Sequence, residues 1–153
     1  MLIRDIMTIY PVRIEDTATM HRAAEIISLA EVSDLMVVDD RRNFVGVLSE
    51  GDIIRALLPN FDEILAAGGS LADAFQFFAK KGGELASRPI QPFILRRVIV
   101  TKPTDEAAMA AATMVEKQIR RLPVVDDAKL VGTVSRADIC RAVLYDLPGG
   151  TAP

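Results

Sequence analysis

The sequence predicts an α+β protein built from two copies of one β-α-β-β-α unit, with a helical segment inserted between them. Two observations carry this reading. The stretch GVLSEGDIIRA (Gly46–Ala56) returns as GTVSRADICRA (Gly132–Ala142), and one constant offset lays Val12–Asp40 over Ile99–Asp127. Within that register Val37-Val38-Asp39-Asp40 meets Val124-Val125-Asp126-Asp127, Thr17 meets Thr104 and Leu35 meets Leu122. After the Asp-Asp turn the second copy is one residue shorter, a loop change of the kind duplicated units tolerate.

Each copy is expected to begin with a short strand, about Val12–Ile14 and about Ile99–Thr101, and to pass through a Thr or Asp N-cap into a helix. The first helix, near Ala18–Ala30, places Met20, Ala23, Ala24, Ile27 and Ala30 on one face. Its counterpart, near Asp105–Gln118, offers Ala107, Ala108, Ala111, Ala112 and Val115, small side chains that suit close helix–helix packing within or between subunits. Two strands joined by an Asp-rich turn follow in each copy, LMVVDDRRNFVGVL and LPVVDDAKLVGTV. Ser49 and Ser135 then open the closing helices, Glu50–Leu58 and Arg136–Tyr145. One copy is too small to bury a sheet face alone, so the two are expected to pack as a pair.

The insertion starts at Pro59 and holds Phe61, Phe75, Phe77 and Phe78. Gly68-Gly69 and Gly82-Gly83 punctuate it, and Ser70 with Asp73 forms a capping-box pattern. Two short helices are expected, with Leu71, Phe75 and Phe78 on the docked face of the second. The predicted organisation is a first unit over 1–58, an insertion over 59–87, a second unit over 88–146 and a flexible tail over 147–153.

Composition narrows the function classes. Hydrophobic residues make up 50% of the chain, yet no apolar run reaches the ~18 residues of a membrane span. No secretory signal pattern opens the sequence, so the expected compartment is the cytoplasm. A net charge of −3 argues against a general nucleic-acid surface, and the Arg pairs are read first as solvated loop and strand ends. One Cys and one His leave too few soft ligands for a zinc site and exclude an internal disulfide. Cys140 is expected to pack as a small apolar residue, and His21 to sit on the outer side of its helix without a catalytic partner. Asp39-Asp40 and Asp126-Asp127 are turn residues rather than acid/base dyads. No catalytic residue is assigned and no enzyme is expected.

The repeated corner has two readings. Ser at an N-cap with Asp three residues on is a capping box that needs no ligand, and Gly46 and Gly132 mark places where a neighbouring backbone comes close. A helix N-terminus also presents unpaired N–H groups to an anion, and a carboxylate accepts the hydroxyls of a ribose.

The double unit resembles a tandem pair of CBS domains. The resemblance rests on Asp5-Ile6-Met7-Thr8, on Leu122-Pro123-Val124-Val125-Asp126 and on the twice-present Gly-x-x-Ser-x-x-Asp corner, and it covers about Leu2–Leu58 and Ile90–Tyr145. It implies two units related by a pseudo-two-fold, their sheets packed together, with clefts between them that hold adenosine-containing ligands. AMP, ADP, ATP, S-adenosylmethionine and NAD-type ligands belong to that class, and no required cofactor or metal is implied. By position, Asp52 and Asp138 would hold the ribose, and Ser49, Ser135 and Arg136 the phosphate. Thr8, Tyr10, Pro11 and Val12 would line the base in one cleft and Arg97, Val98 and Ile99 in the other, with Leu122 and Pro123 also lining. Glu50 beside Ser49 would repel a phosphate where Arg136 would attract one, so the Ser135/Asp138 cleft is expected to be the better site. The resemblance further implies a homodimer and a regulatory output to a separate protein. The competing reading is a ligand-free dimerisation scaffold.

Overall fold

The structure, a computed structural model, describes residues 1–58, 61–66 and 68–145. Pro59 and the tail over 147–153 lie outside the described residues. Along the chain run α1 (Ile3–Ile6), β1 (Arg13–Glu15), α2 (Met20–Ala30), β2 (Asp34–Val38), β3 (Phe44–Ser49), α3 (Glu50–Leu57), α4 (Phe61–Ala66) and α5 (Leu71–Ala86). A 3-10 turn (Gln91–Phe93) then leads to α6 (Ala107–Glu116), β4 (Arg121–Asp126), β5 (Lys129–Ser135) and α7 (Arg136–Leu144).

These elements gather into two compact units that cut across the linear repeats. One contains Met1–Pro11, Asp40–Phe44 and the described residues from Arg97 onward; the other contains Val12–Asp39 and Val45–Arg96. The segment that leads into each copy therefore groups with the other copy's closing strands. Backbone pairing is the cause. The Thr8 N–H donates to the Thr133 carbonyl at 2.8 Å and the Thr133 N–H returns a bond to Thr8 at 3.0 Å. Val47 and Leu95 exchange the same pair at 3.0 and 2.9 Å.

In the unit holding Val12–Asp39, β1 pairs in parallel with β2, with Ile14 opposite Val37, in a sheet ordered β1-β2-β3. Ile14, Met20, Ala23, Leu35, Val37, Leu48, Leu85, Ile90 and Ile94 form its core. The Thr19 hydroxyl caps α2 by accepting the Arg22 N–H at 3.3 Å. Only part of the expected α2 face is inside: Met20 and Ala23 are buried and Ile27 is half-buried, whereas Ala24 and Ala30 are exposed. The α5 helix is longer than expected and passes through Gly82-Gly83, with Leu85 anchored in the core. Each helical glycine costs about 1 kcal/mol against Ala, and packing on both sides outweighs that. The docked face of α5 is Ala74 and Leu85 with Phe78 half-buried; Phe75 is 77% exposed, and the side chain of Leu71 lies outside the described residues.

In the other unit β4 and β5 form an antiparallel pair, with Pro123 opposite Thr133 and Arg121 opposite Ser135. The strand expected near Ile99–Thr101 is reduced to one parallel bridge, Thr101 to Val124. Ile3, Ile6, Ala107, Ala110, Met114, Leu122, Val124, Val134 and Ala142 make the core. The α6 helix meets the expected face only in part: Ala107 is buried and Ala111 half-buried as expected, but Ala110 and Met114 complete the inward side, while Ala108 and Ala112 are exposed and Val115 is 73% exposed. Ala residues on every side leave the phase to the larger Met114. Cys140 is exposed rather than packed, because α7 turns Ala142 to the core and Cys140 lies about 200° away around the helix. His21 is exposed, as expected.

Candidate functional site

Both repeated corners fold as the same hydrogen-bonded box. At the second, Asp138 Oδ2 accepts the Ser135 N–H at 2.8 Å and the Ser135 hydroxyl at 2.7 Å, and Ser135 Oγ accepts the Asp138 N–H at 3.2 Å. At the first, the matching distances around Asp52 and Ser49 are 3.0, 2.8 and 3.2 Å. The opening N–H of each helix is also engaged, Arg136 donating to the Arg120 carbonyl at 3.1 Å and Glu50 to that of Ser33 at 2.9 Å. The capping-box chemistry is thus present in full, and one carboxylate oxygen of each Asp is left over for other work.

That second oxygen distinguishes the corners. Asp52 Oδ1 is paired with Arg55 Nη2 at 2.5 Å, whereas Asp138 Oδ1 stands 3.7 Å from Arg141 Nη2. Arg141 also donates to the Ile6 carbonyl at 3.3 Å, which holds it away from Asp138. Burial disfavours the charged Asp52 carboxylate. The Ser49 N–H, the Ser49 hydroxyl and the Arg55 guanidinium together outweigh this and hold Asp52 below the usual carboxylate range. An incoming hydroxyl would compete with Arg55 at Asp52 but meets a less committed oxygen at Asp138.

Around Ser135 and Asp138 the structure gathers Thr8, Tyr10 and Pro11 into the same compact unit. A Cβ on Gly132 would lie 2.7 Å from the Thr8 carbonyl oxygen, so only glycine lets the lead-in backbone approach β5 this closely. Gly46 plays the same part in the other unit, where a Cβ would collide with the Leu95 carbonyl and Ile94. Tyr10 is 83% exposed and Pro11 is buried. Val12 belongs to the unit of Ser49 and Asp52, while Arg97, Val98 and Ile99 belong to that of Ser135. Strand alternation separates the remaining pair: Leu122 fills the core, and Pro123 alone shares the face of Ser135.

Arg136 is already occupied. Its Nε donates to the Ile119 carbonyl at 2.9 Å and its Nη2 to that of Met114 at 2.7 Å, closing the C-terminal end of α6. Only the remaining N–H donors are open to a phosphate. Sequence reasoning missed the Arg three residues after each Asp, although Arg55 and Arg141 recur within the repeated motif itself. Among the described residues no His, Cys, Asp or Glu cluster suits a metal ion, and no helix is long and apolar enough to cross a membrane.

Known proteins share this fold. The chain is 27% identical over 155 residues to the uncharacterized protein MJ1426 of Methanocaldococcus jannaschii, covering 94% of this chain and 92% of that one. It is 28% identical over 144 residues to MJ1225 of the same organism, covering 94% of this chain but only 43% of that protein. The crystal structure of CBSX2 in complex with AMP superposes with a TM-score of 0.73 at 25% identity, covering 95% of this chain and 97% of that one. CBSX2 is a chloroplastic CBS domain-containing protein of Arabidopsis thaliana, and this chain spans 58% of its full length. Residues 3–59 and 90–145 each match the CBS domain, and the chain belongs to the CBS domain family as a domain pair.

Proposed function

We propose that the protein is a regulatory module that binds an adenosine-containing ligand at the Ser135/Asp138 corner and relays its level to a partner protein. The observation that carries the reading is the Oδ1 of Asp138, which has only a long 3.7 Å ion pair with Arg141 and is set in a box whose other atoms are already satisfied. A carboxylate oxygen held this way accepts ribose hydroxyls without dismantling the helix cap. The Ala137 N–H and the open donors of Arg136 suit a phosphate, and the exposed Tyr10 ring suits a base. The Ser135 hydroxyl serves a phosphate only if its proton leaves Asp138, so Ser135 ranks below the helix backbone as a phosphate ligand. Ser49 and Asp52 form the weaker site, because Arg55 competes for Asp52. AMP, bound by CBSX2, is the first ligand to test; ADP, ATP, S-adenosylmethionine and NAD-type ligands follow.

Binding would bias the protein between two arrangements through different affinity for each, with no chemistry on the ligand. The reading includes a cytoplasmic setting and a homodimer. The apolar groove of about 410 Å³ that Ile6, Ala108, Ala111, Ile139 and Val143 line supports a second copy on the α6/α7 face. Thermal melting tests the ligand reading. AMP at a hundred times its Kd should add about 2.7 kcal/mol, a Tm rise of about 5–11 °C for a chain of this size. Asp138→Ala should abolish the rise and Asp52→Ala should largely retain it. No rise with any of the named ligands leaves a ligand-free scaffold, and the opposite ranking of the two variants refutes the choice of corner.

A further inference from the structure

Thr133 is 1% exposed, and its hydroxyl has no hydrogen-bond partner among the described residues. A buried, unpaired hydroxyl is costly, and native structures retain few of them. The first copy carries the same strand without it: Gly46-Val47-Leu48-Ser49 stands where Gly132-Thr133-Val134-Ser135 stands in the second. Val fills the same volume as Thr, so packing alone does not call for the oxygen.

Its position gives it a use. On β5, Val134 turns to the core with Leu122 and Val124, so Thr133 and Ser135 share the opposite face. Pro123 lies across from Thr133 on that face, and Thr8 pairs with the Thr133 backbone. Two strand residues put Thr133 about 7 Å back along the strand from Ser135 and the α7 N-terminus. A nucleoside whose ribose rests on Asp138 spans that distance with its base.

We infer that Thr133 Oγ is the base-reading hydroxyl of the Ser135/Asp138 site, bonding a ring nitrogen or exocyclic group of a purine, and that it makes the two corners unequal in base recognition. This rests on the nucleotide reading above. Thr133→Val and Thr133→Ser, melted without ligand and titrated with AMP and with adenosine by calorimetry, test it. Removing an unpaired hydroxyl should raise the ligand-free Tm of T133V by about 2–4 °C while AMP and adenosine each bind about three- to tenfold more weakly. T133S, which keeps the hydroxyl, should bind AMP within about twofold of the parent. A lower ligand-free Tm for T133V shows that the hydroxyl already has a protein partner and overturns the inference. So does AMP affinity unchanged in T133V, which leaves the nucleotide reading standing. A loss seen with AMP but not with adenosine moves the contact to the phosphate and overturns the assignment to the base. If the parent protein itself binds neither, the nucleotide reading has failed and this inference falls with it.

Discussion

Gly132→Ala is the substitution whose cost follows most directly from the geometry. The added methyl would sit 2.7 Å from the Thr8 carbonyl oxygen and 3.1 Å from Met7 Sδ. The Met side chain can yield, but the carbonyl is backbone. Ordinary contact begins near 3.4 Å, so the carbonyl must retreat by about 0.7 Å. Taken along the bond from Thr133, that stretches the 3.0 Å hydrogen bond to about 3.7 Å, beyond useful range. One lost backbone hydrogen bond costs about 1 kcal/mol and the residual overpacking about as much again. A total of about 2 kcal/mol lowers Tm by about 4–8 °C for a chain of this size. Because the same carbonyl holds Thr8 beside the Ser135 corner, AMP affinity should fall with stability. Differential scanning fluorimetry with and without AMP reads both effects. A G132A protein that melts with the parent refutes the claim that this glycine is required by close approach, and a normal AMP shift refutes its link to the site.

Two further outcomes follow from single side chains. Arg136→Ala removes the donors to the Met114 and Ile119 carbonyls and should cost about 1 kcal/mol of stability by uncapping α6; a role on phosphate would add a loss of AMP affinity that adenosine does not share, read by titrating the variant with both. Asp52 has a folded pKa below its unfolded value of about 3.9. Its ionisation therefore contributes stability that is complete above that unfolded value and lost as pH falls through the folded one. Between pH 6 and pH 3 the parent should lose more Tm than Asp52→Asn, and parallel curves would show that the carboxylate contributes nothing.

The local parts of this protein were legible in the chain because they are made by neighbours in sequence. Ser49 with Asp52, Ser70 with Asp73 and Ser135 with Asp138 each close a box within a few residues, and all three form where the pattern puts them. The α6 phase was legible only in part, because Ala on every side of a helix gives periodicity little to select. Gly82-Gly83 failed as a stop for the opposite reason: Leu85 is drawn into the core from beyond them.

By itself, then, the sequence determined the duplicated α-β-β-α order, the paired corners and the two glycines that admit a neighbouring backbone. Only the tertiary structure decided which lead-in segment meets which corner, Thr8 with Thr133 and Leu95 with Val47. A duplicated chain offers each segment two near-equivalent strands, and long-range pairing has no local signature to choose between them. The same folding left Asp138 Oδ1 less engaged than Asp52 Oδ1, since a carbonyl far along the chain, that of Ile6, holds Arg141. It also left the buried Thr133 hydroxyl without a partner among the described residues, where the sister strand has a methyl.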